Sequence, residues 1–205
     1  MDDPMRGRWN TDFFEVNRPI VLELGCGKGE YTTGLAERFP DKNFLGVDIK
    51  GNRIWKGARR VAEAGIPNAG FLRTKIEFLH RIFAPGEVDE IWITFPDPQP
   101  KKPSKRLTSS GFLNLYRQII HRGGLIHLKT DSRMLYLYTG ANLLENGIVP
   151  LLDTPDLYGS GYGDELLSIR TYYEQGFLEE GRKITYLRFT LPTETPVRET
   201  RRYFQ

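Results

Sequence analysis

The stretch Glu23-Leu24-Gly25-Cys26-Gly27-Lys28-Gly29 limits the possible folds more than any other part of this chain. It follows the apolar run Ile20-Val21-Leu22, which reads as a strand, and precedes Glu30 to Phe39, which reads as a helix ended by Pro40. Glycines at alternate positions let the backbone turn tightly and approach a ligand closely. A strand entering a helix through such a loop opens a doubly wound α/β sheet. The rest of the chain repeats the alternation. Asn43 to Val47 is the next strand, and Ile54, Ala58, Val61 and Ala62 share one helical face after it. Phe71-Leu72 is a short strand, followed by a short helix near Glu77 to Phe83. After a strand ending at Thr94, Phe112, Leu115, Tyr116, Ile119 and Ile120 mark a helix that stops at Gly123-Gly124. Leu125 to Leu128 is a strand, and Ser132 stands where it can cap a helix running to Asn146. Such alternation implies a mostly parallel sheet covered on both faces. Beyond Gly147 the pattern changes: Asp153 to Asp164 is a long loop, and Leu166 to Tyr173 and Ile184 to Thr190 read as two strands with no helix between them. They predict an antiparallel pair at the end of the sheet.

At 205 residues the chain suits one α/β domain. Residues 1–18 read as an extension anchored by Phe13-Phe14, 19–192 as the domain, and 193–205 as a mobile basic tail with Arg198, Arg201 and Arg202. The net charge of +3 is too mild to point to a nucleic-acid partner, so any such argument must rest on clustering. The single cysteine, Cys26, excludes an internal disulfide and suits a reducing compartment; it is expected to pack beneath the loop. No signal peptide and no long apolar run is visible, which predicts a cytoplasmic protein without a membrane span. His80, His121 and His127 lack metal-ligand spacing, so no metal is expected.

The glycine spacing identifies a ligand class. A dinucleotide site has Gly-x-Gly-x-x-Gly with a pyrophosphate at the helix N-terminus. Here the spacing is Gly25-x-Gly27-x-Gly29, and Glu23 in the preceding strand would repel a pyrophosphate. A carboxylate there suits a cationic ligand such as S-adenosylmethionine, with its amino and sulfonium groups. Asp48 ends the next strand, where it can accept hydrogen bonds from a ribose diol or cap the helix that follows.

The segment Ile91 to Lys102 supplies the second constraint. Pro96 ends an apolar strand, and Pro98 pushes Asp97 into an extended conformation, so a carboxylate is held on a stiff loop at a strand's carboxyl end. Lys101, Lys102, Lys105 and Arg106 follow with no offsetting acid, a cluster that fits phosphates. Arg53, Lys56, Arg59 and Arg60 on an earlier helix read as a solvated face.

With the glycine loop and Phe95-Pro96-Asp97-Pro98 followed by lysines in one chain, the sequence resembles the bacterial, single-chain tRNA (guanine-N7-)-methyltransferases from about Ile20 to Thr190. Lys129-Thr130-Asp131 and Arg170-Thr171-Tyr172-Tyr173-Glu174 are further marks. The resemblance implies a class I S-adenosylmethionine-dependent methyltransferase (Rossmann-like) fold, a mostly parallel seven-stranded sheet with an antiparallel pair at its C-terminal end. It implies an enzyme, monomer or homodimer, that methylates N7 of a variable-loop guanine in tRNA. It places the methyl donor against Glu23, Asp48 and Thr74 beside Gly25, Gly27 and Gly29. Asp97 becomes the catalytic residue, and Lys101, Asp131, Thr171, Tyr172, Tyr173 and Glu174 become substrate contacts. Lys102, Lys105 and Arg106 are expected on the RNA backbone. The family usually has tryptophan where this chain has Gln99 and an acid or amide at Thr74. The competing expectations are an amino-methyltransferase acting on nucleic-acid bases and a non-catalytic RNA-binding protein with the same fold. Asp97 lies between prolines with no aromatic after them, which counts against the first.

Overall fold

The computed structural model describes residues 2–162 and 167–200, apart from the Tyr172 side chain. Its centre is a seven-stranded sheet in the order β3-β2-β1-β4-β5-β7-β6. The strands are β1 (Ile20–Leu24), β2 (Asn43–Asp48), β3 (Ala69–Arg73), β4 (Val88–Thr94), β5 (Ile120–Thr130), β6 (Leu152–Thr154) and β7 (Thr185–Thr190). The first five are parallel, and β7 runs antiparallel to both β5 and β6. The helices are α1 (Glu30–Arg38), α2 (Gly51–Ala64), α3 (Leu79–Ile82), α4 (Ser110–Tyr116), α5 (Arg133–Glu145) and α6 (Tyr172–Glu179). Two buried clusters cover the faces of the sheet, one around Leu22, Leu45, Ile93 and Leu128, the other around Val21, Tyr31, Phe44 and Trp92. All five β1 side chains are buried, as a strand covered on both faces requires.

The expected mostly parallel sheet with an antiparallel end is present, but one of its strands comes from elsewhere. β6 is Leu152–Thr154, which takes in the first residues of the segment expected as loop. The expected strand from Leu166 to Tyr173 is not one: Leu166 lies outside the described residues, 167–171 is irregular, and Tyr172 begins α6. Thr171 Oγ1 accepts a hydrogen bond from Glu174 N at 3.2 Å, so Thr-x-x-Glu starts a helix.

Four further details differ from expectation. α4 ends at Tyr116, because Ile119 and Ile120 already belong to the approach and first residue of β5. α2 packs through Ile54, Gly57 and Val61 rather than Ala58 and Ala62. A Cβ on Gly57 would lie 2.6 Å from the Phe71 ring, so glycine lets this helix sit close to β3. The first eighteen residues are anchored by Trp9 and Phe14 in the core, whereas Phe13 is half exposed, and Trp9 Nε1 donates to Ile82 O at 3.0 Å. The tail is docked through residue 200: Val197 joins the core, and Arg198 N donates to Asn146 Oδ1 at 2.7 Å. Arg201 and Arg202 lie outside the described residues. Among the described residues no helix is long and apolar enough to cross a membrane.

Candidate active site

The carboxyl ends of β1, β2 and β4 bring most of the sequence-predicted residues together. Gly25, Gly27 and Gly29 all have positive φ, which L side chains rarely adopt, and a Cβ on Gly29 would meet the Phe71 ring at 2.3 Å. Gly29 is the N-cap of α1 and has no side chain to satisfy the helix's free N–H groups. Glu23 does so from β1. Its Oε2 accepts from Thr32 N at 2.8 Å and from the Thr32 hydroxyl, and its Oε1 accepts from Thr94 Oγ1 at 2.8 Å. The helix end that receives a pyrophosphate in dinucleotide folds is thus filled by the protein's own carboxylate. Burial is the main cause that raises the Glu23 carboxyl to about 7, against the lowering effect of these hydrogen bonds.

Asp48 secures the other side of the loop. Its Oδ2 accepts from Gly27 N at 2.9 Å and its Oδ1 from Lys50 N at 2.8 Å; Lys50, not Asp48, is the N-cap of α2. Cys26 is buried beneath the loop, and burial pushes its thiol far up, which rules out a ready nucleophile. Two clefts meet at Gly25. The larger, about 510 Å³, is lined by Asp48, Thr74, Gln99, Lys102, Lys105 and Phe112 among others. The smaller, about 100 Å³, is lined by Glu23, the glycine loop, Arg53, Thr94, Phe95, Thr171 and Tyr173.

Asp97 stands on the loop between them. Phe95 on one side lines the small cleft and Gln99 on the other lines the large one. Both have positive φ, +47° and +46°, a strained conformation for non-glycine residues that costs about 1–3 kcal/mol each. Asp97 is exposed, and its Oδ1 accepts from Gln99 N at 2.9 Å, a turn that fixes the carboxylate. Lys101, Lys102 and Lys105 are exposed, and Lys105 pairs with Glu77 at 3.4 Å. Arg106 departs from the role expected of it. It is only 4% exposed, with its guanidinium beneath the loop, so it does not offer its charge to an RNA backbone.

The residues expected on substrate divide in the same way. Thr171 caps α6 and lines the small cleft with the half-exposed Tyr173; Tyr172 starts the helix. Glu174 is fully buried and does not face solvent as a substrate contact would. Its Oε1 lies 2.8 Å from Lys129 Nζ, also fully buried, and accepts from Tyr158 OH at 2.5 Å. Lys129 Nζ further donates to Leu167 O and Ile169 O at 3.2 and 3.1 Å, tying the segment before α6 to β5. Asp131 pairs with Arg182 at 3.0 Å in a separate cleft of about 510 Å³ with Arg133, Tyr136 and Lys183. Ser132, not Asp131, caps α5, accepting from Leu135 N at 3.3 Å.

Sequence reasoning missed Thr32 and Thr94 as anchors of Glu23, Lys129 as the buried partner of Glu174, and Arg53 at the mouth of the small cleft. The Thr-x-x-Glu spacing at Thr171 was the one available signal for the α6 start. Arg59 and Arg60 do form the expected solvated face, paired with Glu63 and Glu37.

A family described as "Putative methyltransferase" matches residues 17–187. A tRNA (guanine-N(7)-)-methyltransferase of Porphyromonas gingivalis is 60% identical over 92% of this chain and 78% of its own length. The protein of the same name in Bacillus subtilis is 35% identical over 87% of this chain and 83% of its own. Among solved structures, the 16S rRNA methyltransferase KamB superposes with a TM-score of 0.63 at 14% identity, covering 85% of this chain and 88% of that one. A geranyl diphosphate methyltransferase in complex with SAM gives 0.56 at 18% identity, covering 84% and 77%. At such identities the two structures speak for the fold alone.

Proposed function

The chain belongs to the tRNA (guanine-N(7)-)-methyltransferase family, and we propose that it transfers a methyl group from S-adenosylmethionine to N7 of a variable-loop guanine in tRNA. The observation that supports this most is Glu23 closing the α1 N-terminus beside paired clefts lined by Asp48 and by Phe95 and Gln99 of the Asp97 loop. An anion is disfavoured there and a cation favoured. The larger cleft has the volume of an ordinary small-molecule site. Asp48 and Thr74 would hold the ribose and adenine end, with Glu23 and the glycine loop at the cationic end. The donor supplies an electrophilic methyl group on a sulfonium.

Guanine N7 has a lone pair and no proton, so no general base is needed. The N7–C bond forms as the C–S bond breaks, S-adenosylhomocysteine leaves, and positive charge passes to the purine ring. The protein's work is then orientation and electrostatics. Asp97 would stabilise the ring charge or hold the guanine N1–H and amino edge, with Lys101, Asp131, Thr171 and Tyr173 around the nucleotide. On this reading the enzyme works in the cytoplasm, where its tRNA is, as a monomer or homodimer.

Donor binding tests the cofactor half of the proposal. In the free protein Glu23 has a folded value near 7 against its ordinary 4.5, so its neutral form is the stabilising one. That contribution is complete below 4.5 and is lost as pH rises through about 7. A cation beside the carboxylate favours the ionised form instead. Donor binding should therefore release a proton, with affinity rising by at most about tenfold per unit up to pH 7 and levelling above it. Glu23→Gln should flatten the profile, and Asp48→Ala should weaken binding by about 1.5–3 kcal/mol. Calorimetry showing pH-independent affinity between about pH 5.5 and 8 would remove Glu23 from the donor site.

Lys102→Gln with Lys105→Gln tests the RNA half. Each lysine that neutralises a phosphate should, once replaced, lower the slope of log K against log salt by about 0.7–0.9 and raise the tRNA KM. An unaltered slope would make these lysines a solvated turn.

A further inference from the structure

Arg106 sits in the basic run yet is withdrawn from the surface, and its contacts lead to the Asp97 loop. Its Nε donates to Pro98 O at 3.2 Å, the carbonyl directly after Asp97. Its guanidinium lies 4.3 Å from the centre of the Tyr138 ring, a cation–π contact in a buried setting. Tyr138 is fully buried on α5, and its hydroxyl donates to Glu199 Oε1. Glu199 Oε2 in turn accepts from Ser110 N at 2.8 Å. The arginine makes no salt bridge with a carboxylate among the described residues. Its partners are one carbonyl and one aromatic face. The loop that it touches holds two non-glycine residues at positive φ, a conformation that persists only where the surroundings over-determine it.

We infer that Arg106 is a positioning residue, a brace that holds the Pro98 carbonyl and thereby sets where the Asp97 carboxylate stands on the loop between Phe95 and Gln99. This rests on the reading of Asp97 as the group beside the guanine. Tyr138 fixes the plane of the guanidinium, and Glu199 fixes Tyr138, so the docked tail supports the loop from behind. Lysine cannot reproduce this role. Its ammonium carries the charge but not the planar fork that stacks on a ring while donating to a carbonyl.

Lysine also separates the brace from a phosphate contact, since an ammonium serves phosphate well. Arg106→Lys and Arg106→Ala should each lower kcat by about tenfold or more. The tRNA KM, the salt slope and the donor Kd should stay at wild-type values. Millimolar guanidinium should partly restore kcat of a folded Arg106→Ala protein, and in an Asp97→Asn background Arg106→Lys should add little. A higher tRNA KM with a flatter salt slope would overturn the brace in favour of a backbone contact. A lower Tm with wild-type kcat would reduce Arg106 to packing, and absence of guanidinium rescue would equally contradict the proposal. If Arg106→Ala does not fold, Arg106→Lys decides alone. Asp97→Asn keeps the two claims apart: a wild-type rate there removes the catalytic reading itself, whereas a slow Asp97→Asn beside fast Arg106 variants removes only the brace.

Discussion

Asp97→Asn should lower kcat by roughly 10²–10³ while leaving the fold and the donor Kd unchanged. The carboxylate is exposed, so the fold does not depend on its charge. The amide oxygen can still accept from Gln99 N, so the turn survives. What disappears is a fixed negative charge beside a ring that becomes cationic as N7 takes the methyl group. A preorganised group of that kind is worth about 10²–10³ in rate. Single-turnover methylation with saturating tRNA isolates the chemical step. A wild-type rate would make Asp97 scaffolding and leave Asp131, with its own cleft and Arg182 partner, as the better candidate.

The buried pair should dominate stability. Lys129→Met leaves the Glu174 carboxylate in the core with no cation, at an expected cost of about 3–5 kcal/mol. For a chain of this size that is a fall in Tm of roughly 6–20 °C. The double variant Lys129→Met with Glu174→Leu should recover most of the loss, because both charges are then gone and apolar groups fill the space. Thr171 and Tyr173, just before Glu174, line the small cleft, so donor affinity should fall in the single variant before the protein unfolds. Urea unfolding followed by circular dichroism measures both variants. A single variant as stable as the wild type would mean that the pair does not hold α6 in place.

The sheet and its ligand edge were legible because they rest on local signals: apolar runs, a glycine loop, and prolines that stop a strand. Glu23 was identifiable as an obstacle to pyrophosphate, although not as the cap of α1, because Thr32 and Thr94 meet it only after the chain folds. Residues 166–173 misled because aromatic and β-branched residues favour strands, whereas the threonine cap decided the outcome for Tyr172 onward. Arg106 and Glu174 expose the main limit of sequence reading. A charged residue in a basic run or a polar motif is ordinarily solvated, and here burial depends on partners 8 and 32 residues away, Pro98 and Tyr138 for the arginine, and on Lys129 in another strand for the glutamate. Spacing carries no record of such contacts.

The most direct test of the central claim is to incubate the purified protein with methyl-labelled S-adenosylmethionine and unmodified tRNA, digest the RNA and identify the labelled nucleoside. Label is expected in 7-methylguanosine alone, at a variable-loop guanine, and none when that guanine is replaced by adenine. Label in an N-methylated adenine or cytosine, or tRNA binding with no transfer at all, would contradict methyl transfer to guanine N7.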